Sequence, residues 1–291
     1  MTHTPADDLA GIPGPAGSAH PGPRAGGPGA GPRVAVLGYG AIGRVVAREL
    51  LAGAVHGATL VCVVNRSPVP DPPVPQLSLT EAIEIADVVV ECAGSAALLE
   101  AIQPVLSAGL DLVVSSVAGL LHPRLAGRLD TLGPGRLRCT HGALGGLDLL
   151  ASAAAVGGLD RAVLRTTKKP IALIQPWMDE QEARRVRGAG EDVLVFAGPP
   201  AEAARLFPQS LNVAAALSLA VGDPDVVRVE LHADPAADLT THRIEASGPQ
   251  GSYVFEVQNR PSPDNPRTSA VVPYSILRTL SGLTARPPLI A

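Results

Sequence analysis

The chain has 291 residues, a formal net charge of -4 and aromatic side chains at only 2% of its positions. Its length allows one large or two modest domains with a substantial core. The negative net charge, without a Lys/Arg cluster, argues against a nucleic-acid-binding surface, and no apolar run reaches the ~18 residues of a membrane helix. Three cysteines in so long a chain do not make a disulfide framework. We expect buried, reduced thiols and a cytoplasmic protein.

Residues 1–32 differ in composition from the rest of the chain. They are dominated by Pro, Gly and Ala and have almost no large apolar side chains. Such a segment buries too little surface to offset the loss of chain entropy. It also lacks the basic start and the continuous apolar core of a secretory signal. We therefore expect a disordered tail.

The next stretch predicts a nucleotide-binding turn. Residues 34–37 form an apolar run typical of a buried strand, and apolar residues recur at helical spacing from 42 to 51. Between them lies the pattern G-x-G-x-x-G, whose glycines allow a tight turn, approach of a pyrophosphate and close packing of helix on strand. The alternative is an ordinary strand-to-helix turn. The residues predicted to bind a dinucleotide here are Gly38, Tyr39, Gly40, Ala41, Ile42 and Gly43.

Cofactor choice is predicted from the end of the second strand, residues 59–64. An acidic residue there would bind a ribose 2′-hydroxyl, whereas an Arg accommodates a 2′-phosphate. The chain has Asn65, Arg66 and Ser67 at this point. We therefore expect NADP or NAD, with NADP favoured. The alternative is that Arg66 is merely a solvated loop residue.

Strands and helices alternate up to residue 140, which predicts a Rossmann-type doubly wound parallel sheet over 33–140. A strand in 86–94 leads into a turn where Ala93 and Gly94 are expected beneath the nicotinamide ribose. The further elements, after a Pro-rich loop at 68–75, are helices at 96–106 and 123–132 and strands at 111–115 and 136–140.

From residue 141 the pattern predicts an α+β domain with a mostly antiparallel sheet, spanning 141–267. A glycine-rich turn at 141–148 precedes an Ala/Leu helix, and alternating apolar and polar residues in the last strands indicate one buried face. Residues 261–266 are Pro-rich and predicted to lack regular structure. A final helix at 268–280, within a segment 268–291, is expected to return to the first domain. The other elements are strands at 161–167, 193–197, 226–233, 241–247 and 252–258, and helices at 201–207 and 212–220.

Several motifs resemble the L-aspartate dehydrogenase family, over about residues 33–282. They are G-Y-G-A-I-G at 38–43, A-D-V-V-V-E-C-A at 86–93, G-A-L-G-G-L-D at 142–148, T-x-K-x-P at 166–170, F-P-Q-S-L-N-V-A-A-A-L at 207–217, A-D-P with a later His at 233–242, and N-R-P-S-P-D-N-P-R-T-S-A at 259–270. The later motifs are specific, because ordinary dinucleotide-binding folds do not share them.

The resemblance implies a homodimeric enzyme that interconverts L-aspartate with oxaloacetate and ammonia through iminoaspartate, using NAD or NADP. It also implies that His242 is catalytic and that Asn212 and Ala143 contact the cofactor. An imidazole titrating near neutrality could take protons from the ammonium group and from water. Two substrate carboxylates need cations, and Lys168 and Lys169 are candidates for one of them, the alternative being a solvated strand end. No metal site is expected.

The chain departs from the family pattern near the expected substrate. Thr240 replaces the usual Asn before the catalytic His, His141 replaces the usual Ser, and the turn at 116–120 reads S-V-A-G-L. Thr240, His141 and Lys168 are our candidate substrate-binding residues. The departures keep open another small amino or keto acid as substrate. Two competing hypotheses are an aldehyde dehydrogenase with Cys139 as nucleophile beside His141, and a non-catalytic nucleotide-binding regulator.

Overall fold

The structure is a computed structural model that describes residues 31–125, 127–208 and 211–284. The prediction of a disordered tail falls almost wholly on residues 1–30, outside the described residues. The last seven residues of the predicted C-terminal segment also lie outside them. None of the helices in these described residues combines the length and the hydrophobicity that a membrane-spanning helix requires.

The first sheet has six parallel strands in the order β3-β2-β1-β4-β5-β6. This order is that of a dinucleotide-binding fold, in which ligands bind at the carboxyl ends of the strands where the order reverses, here between β1 and β4. The strands are β1 (Arg33–Leu37), β2 (Thr59–Val64), β3 (Gln76–Leu77), β4 (Val88–Glu91), β5 (Asp111–Val114) and β6 (Leu137–Cys139). The helices of this part are α1 (Ala41–Leu51), α2 (Leu79–Ile85) and α3 (Ser95–Ser107).

Both faces of this sheet are covered by helices because its strands are apolar on both sides. Val34 and Val36 of β1 face a core that includes residues of α1 and of the last helix, α8 (Val272–Ser281). Ala35 and Leu37 face the opposite core, with residues of α2 and α3. The chain therefore ends its described part on the first sheet, against α1.

The second sheet has five strands in the order β11-β10-β7-β9-β8. β7 and β9 are parallel, and the other neighbours are antiparallel. Together the two sheets confirm the predicted fold class. The strands are β7 (Arg161–Lys168), β8 (Val193–Gly198), β9 (Val227–Ala233), β10 (Thr240–Gly248) and β11 (Gly251–Asn259). The helices of this part are α4 (Leu147–Gly157), α5 (Glu180–Arg187), α6 (Pro200–Leu206) and α7 (Asn212–Val221).

Helix α7 belongs to both cores. Ala215 and Ala216 pack with the core of the first sheet, whereas Val213, Ala214 and Leu217 pack with the core of the second. A helix enclosed on most sides is apolar around most of its circumference, which explains its run of Ala, Val and Leu. This helix joins the two sheets at the edge where the candidate site lies.

Two predictions about local structure are wrong. The helix expected at 123–132 is replaced, in the described residues, by turns and a short 3-10 helix, Leu129–Thr131, because Gly127 adopts a left-handed φ of +67° that ends any helix. The segment 261–266 is not irregular. It forms a two-stranded antiparallel hairpin of β12 (Pro261–Ser262) and β13 (Asn265–Ser269), with one proline at the start of a strand, where a missing N–H is tolerated.

The sequence predictions also missed α2 and α5, and began α8 four residues too early. A signal for α2 was present, since Ser78 and Glu81 form a reciprocal capping box.

Cys62 is buried and Cys92 half-buried, but Cys139 is exposed. The expectation of a buried thiol at Cys139 is therefore wrong, because β6 is the edge strand of its sheet.

Candidate active site

The turn between β1 and α1 shows three different uses of glycine. Gly38 has a φ of +93°, and a Cβ there would lie 2.7 Å from the Ala93 Cα. A Cβ on Gly43 would overlap the Gly38 carbonyl oxygen. At Gly40, by contrast, a Cβ would meet nothing within 4 Å. Gly38 and Gly43 are therefore required by the protein's own packing, whereas Gly40 leaves space open beside the turn.

The start of α1 is prepared for an anion. Gly40 caps the helix without a side-chain hydrogen bond, and the first turn, from Ala41 and Ile42 onward, contains no acidic residue. The first N–H groups of a helix have no intrahelical partner, and the helix dipole favours negative charge there. The open space at Gly40 and these N–H groups fit the pyrophosphate of a dinucleotide.

The loop after β2 is tied to the same turn. The Tyr39 N–H donates to Asn65 Oδ1 at 3.1 Å, so the first residue after β2 is fixed against the glycine-rich turn. Arg66 and Ser67 follow and are exposed. In the described part of the chain, no hydrogen bond or ion pair engages the Arg66 guanidinium.

A buried carboxylate that the sequence predictions missed organises the ends of β4 and β5. Glu91 Oε1 accepts from the N–H groups of Ala93 and Gly94 at 2.7 and 2.8 Å and from the Ser116 hydroxyl at 2.8 Å. Its Oε2 accepts from the Ser116 N–H at 2.9 Å. Burial raises the pKa of Glu91, and these hydrogen bonds oppose that shift. A lone Glu ending an otherwise apolar strand was the available signal.

Two asparagines fix backbone segments near the ends of the two sheets. Asn212, the first residue of α7, accepts with Oδ1 from the Ala118 N–H at 3.0 Å, beyond the end of β5. Asn259, the last residue of β11, donates from Nδ2 to the Ala143 carbonyl at 3.1 Å. The glycine-rich turn that contains Ala143 therefore lies against the second sheet, at the edge near α7.

The buried face of the second sheet becomes polar at one end. Alternation along the strands directs the inward residues of β7 and β10 to the same face, and the register places Thr166 opposite His242. Thr240 lies opposite Asn259 on β11. The polar residues collected at this end are Thr166, Lys168, Thr240, His242 and Asn259.

His242 is a buried, neutral imidazole. The residue is only 3% exposed, and its Nδ1 atom lies 2.9 Å from the hydroxyl oxygen of Thr166. Burial, together with the charge on Lys168, lowers the pKa of His242 to about 3. The expectation that this imidazole titrates near neutrality is therefore wrong for the ligand-free chain. At neutral pH it is in the form that accepts a proton.

Lys168 is a buried cation without an acidic partner in the described part of the chain. The residue is 4% exposed, and Nζ donates to the Arg267 carbonyl at 2.9 Å. Burial lowers the pKa of Lys168 to about 8. Lys169, by contrast, is exposed and pairs with Asp238 at 3.2 Å. Of the two candidate lysines, only Lys168 shares the face of His242.

Comparison with known proteins identifies the family. The model described as "Aspartate dehydrogenase, C-terminal" matches residues 148–283, and "Homoserine dehydrogenase, NAD binding domain" matches residues 38–133. The chain is 36% identical over 265 residues to an L-aspartate dehydrogenase of Bordetella pertussis, covering 87% of this chain and 97% of the relative. The chain belongs to the L-aspartate dehydrogenase family.

Two further comparisons agree with this membership. An L-aspartate dehydrogenase of Ralstonia pickettii is 40% identical over 199 residues, which cover 67% of this chain and 73% of the relative. The crystal structure of the aspartate dehydrogenase of Thermotoga maritima has a TM-score of 0.71 and 26% identity, over 89% of this chain and 99% of that one. An archaeal homoserine dehydrogenase with a TM-score of 0.53 and 12% identity shares the fold alone.

Membership of the L-aspartate dehydrogenase family confirms the predicted enzyme class. The chain is an amino-acid dehydrogenase, an oxidoreductase with a dinucleotide-binding domain for a nicotinamide cofactor. The rival thiol mechanism finds no support in the site. In the described residues no hydrogen bond joins the Cys139 thiol to His141, and the Nδ1 atom of His141 lies instead 3.1 Å from the Leu144 carbonyl oxygen.

Proposed function

We propose that the chain catalyses the interconversion of L-aspartate with oxaloacetate and ammonia through iminoaspartate, with His242 as general acid and base and NADP as the preferred cofactor. The observation that carries this proposal is the pairing of two buried groups at one end of the second sheet. His242 is a neutral base, and Lys168 is a cation that lacks an anion in the described part of the chain. A dicarboxylate with an amino group needs both.

The residues that would hold the cofactor are those at the carboxyl edge of the first sheet. The turn 38–43 would bind the pyrophosphate, Asn65 and Arg66 the adenosine ribose, and Ala93 and Gly94 the second ribose. Ala143 and Asn212, on the side of the second sheet, would face the nicotinamide end. When bound, the nicotinamide supplies the acceptor for a hydride.

Lys168 would bind one substrate carboxylate. Its burial makes the uncompensated charge costly, since an isolated ion loses its hydration in a protein interior. A carboxylate placed beside it restores that interaction. Thr240 and His141, the two departures from the family pattern, would contact the remainder of the substrate, and their side chains decide which acid fits.

His242 would move two protons. Loss of hydride from Cα leaves a C=N bond, while the proton that leaves the amino nitrogen passes to the neutral imidazole. After the imidazolium has released this proton to solvent, water adds to the imine carbon and the imidazole takes one proton from it. The imidazolium then returns that proton to the nitrogen, which leaves as ammonia with the C–N electron pair while the remaining hydroxyl loses its proton and forms the C=O bond. The negative charge of a bound dicarboxylate raises the pKa of His242 from its ligand-free value, so that accepting a proton becomes favourable.

The remaining parts of the proposal concern cofactor choice and assembly. Arg66 is exposed, without a partner in the described residues, and follows a strand end that lacks an acidic residue, which favours a 2′-phosphate. A homodimer is proposed because the resemblance implies one. The face of the second sheet turned away from its core also exposes Leu194 and Val254, at 49% and 57%.

The first test is turnover with His242→Ala. With NADPH, oxaloacetate and ammonia, we expect a loss of about 10²–10⁴-fold in kcat, typical of removing an acid–base group, with NADPH affinity nearly unchanged. His232→Gln is the matched control, because it also removes a buried imidazole, but one that contacts Asp192 on the opposite face. Its kcat should stay near that of the wild type.

Three different results would favour the competing hypotheses. NADPH binding without turnover of any amino or keto acid would favour a non-catalytic regulator. Turnover of a different acid, with oxaloacetate inactive, would favour the related substrate that the departures at Thr240 and His141 keep open. Inactivation by a thiol-alkylating reagent, prevented by substrate, would favour Cys139 as a nucleophile.

A further inference from the structure

The loop between β2 and β3 is held by one side chain. Gln76, the first residue of β3, is half-buried, and β3 pairs in parallel with the end of β2. Its amide reaches back across the loop to residues 65–69. This loop contains Arg66, the residue proposed to bind a ribose 2′-phosphate.

The side-chain amide of Gln76 forms three hydrogen bonds with the loop, and all three are to backbone atoms. Nε2 donates to the Asn65 carbonyl at 2.9 Å and to the Ser67 carbonyl at 3.0 Å. Oε1 accepts from the Val69 N–H at 2.8 Å. The carbonyls of the residues on either side of Arg66 are thus both bound to one nitrogen. The backbone at Arg66 is fixed, while its guanidinium remains exposed.

Asn65 extends this arrangement to the phosphate-binding turn. Its Nδ2 donates to the Ser67 carbonyl at 2.9 Å, and its Oδ1 accepts from the Tyr39 N–H at 3.1 Å. The two side-chain amides therefore connect the glycine-rich turn, the loop 65–69 and β3 in one network. The position of Arg66 relative to the pyrophosphate site is set by this network.

We propose that Gln76 is a positioning residue for cofactor specificity: by holding the backbone on both sides of Arg66, it determines how strongly the enzyme prefers a 2′-phosphorylated nicotinamide dinucleotide. The inference rests on the proposed role of Arg66. The side chain of Gln76 is engaged by the loop backbone, so its proposed action on the cofactor is indirect. It acts by ordering the loop 65–69 before the cofactor binds. Binding of the 2′-phosphate then does not include the free-energy cost of ordering this loop.

The test is direct binding of NADPH and NADH, measured by fluorescence titration of wild type and Gln76→Leu. The substitution keeps the approximate size of the side chain and removes all three hydrogen bonds. We expect the Kd for NADPH to rise about tenfold, on the order of one or two lost hydrogen bonds, and the Kd for NADH to change less than about twofold. Retained NADH binding reports that the domain is folded.

A double-mutant cycle shows whether Gln76 acts through Arg66. In an Arg66→Ala background no guanidinium remains to be positioned, so Gln76→Leu should leave the Kd for NADPH unchanged there. Gln103→Leu is the matched control, because Gln103 also donates from its side-chain amide, but to Ser107 on α3. It should leave both dissociation constants unchanged.

The outcomes separate this inference from the proposed cofactor preference. If Arg66→Ala leaves the ratio of the two dissociation constants unchanged, the NADP preference is overturned, and the role of Gln76 with it. If Arg66→Ala lowers the preference for NADPH but Gln76→Leu does not, only the role of Gln76 is overturned. Equal weakening of NADPH and NADH by Gln76→Leu would also overturn it, since that result indicates a general structural role.

Discussion

Lys168 and Lys169 are adjacent in the chain and differ in environment because strand residues alternate between faces. Lys168 enters the buried face, where its Nζ reaches only a carbonyl oxygen in the described residues. Lys169 reaches the surface and pairs with Asp238, itself 90% exposed at the side chain. An exposed pair of this kind contributes little to stability. The buried charge without an acidic partner in the described residues is therefore the one on Lys168.

This difference predicts the pH dependence of anion binding. Lys168 carries its charge below its pKa of about 8 and loses it above that value. The inhibition constant of succinate, a dicarboxylate without an amino group, should therefore be nearly constant at lower pH and rise up to about tenfold per pH unit above it. Competition with oxaloacetate from about pH 7 to about pH 10 measures this profile.

Three variants test whether Lys168 causes the rise. Lys168→Arg keeps its charge throughout the range, so its inhibition constant should not rise. Lys168→Met should bind succinate weakly at every pH. Lys169→Met removes the neighbouring exposed charge and should behave as the wild type does. Two results would contradict the role given to Lys168: a wild-type inhibition constant that does not rise with pH, or a rise that is still present in Lys168→Arg.

At the scale of elements, the β1–α1 turn separates what glycine does for folding from what it does for binding. Gly43→Ala would force a Cβ onto the Gly38 carbonyl, and we expect the free energy of unfolding to fall by about 1–3 kcal/mol, as for overpacked interiors. Gly40→Ala places a methyl group in open space at an ordinary φ of -87°. Its free energy of unfolding should stay within about 0.5 kcal/mol of the wild type.

For dinucleotide binding we expect a large effect of Gly40→Ala, the variant that leaves stability almost unchanged. The space beside Gly40 is where a pyrophosphate would approach the backbone, so Gly40→Ala should raise the Kd for NADPH at least about tenfold although the domain is stable. Urea unfolding and NADPH titration of the same two variants provide both measurements. A Gly40→Ala variant that binds NADPH as the wild type does would mean that no phosphate lies there.

The elements that the sequence predicted are those with a local signal. β1 and α1 are specified by an apolar run, the glycine pattern and helical spacing, and β10 and β11 by alternation. Two predictions failed, the helix at 123–132 and the irregular segment at 261–266. In both places the structure is determined by backbone conformations that composition does not reveal. Gly127 turns left-handed, and a strand pairs across a Pro-rich turn.

The candidate site was predictable only in part, for a related reason. His242, Lys168 and the glycine-rich turn were found through motifs. The partners that orient them come from distant positions. Thr166 meets His242 only through the register of β7 and β10, and Gln76 meets the loop 65–69 only through the pairing of β3 with β2. Such contacts are a property of strand pairing and are not encoded by spacing along the chain.

At the scale of the whole molecule, α7 makes the two sheets depend on each other. The same ten-residue helix contributes Ala215 and Ala216 to one core and Val213, Ala214 and Leu217 to the other. Unfolding of either sheet therefore exposes apolar residues of α7 and weakens the packing of this helix on the other sheet. We infer that the described parts of the molecule unfold as one cooperative unit.

The single tryptophan of the chain allows this to be measured. Trp177 packs edge-to-face on Phe207, with ring centroids 5.6 Å apart, and so reports the second domain. Its fluorescence change in urea should coincide with the loss of far-UV circular dichroism, which reports both domains. NADPH at about 100 times its Kd should shift both transitions together, by about 2.7 kcal/mol, although its proposed binding residues lie mostly on the first sheet. A fluorescence transition that NADPH leaves in place would mean that the second domain unfolds independently and that α7 does not couple them.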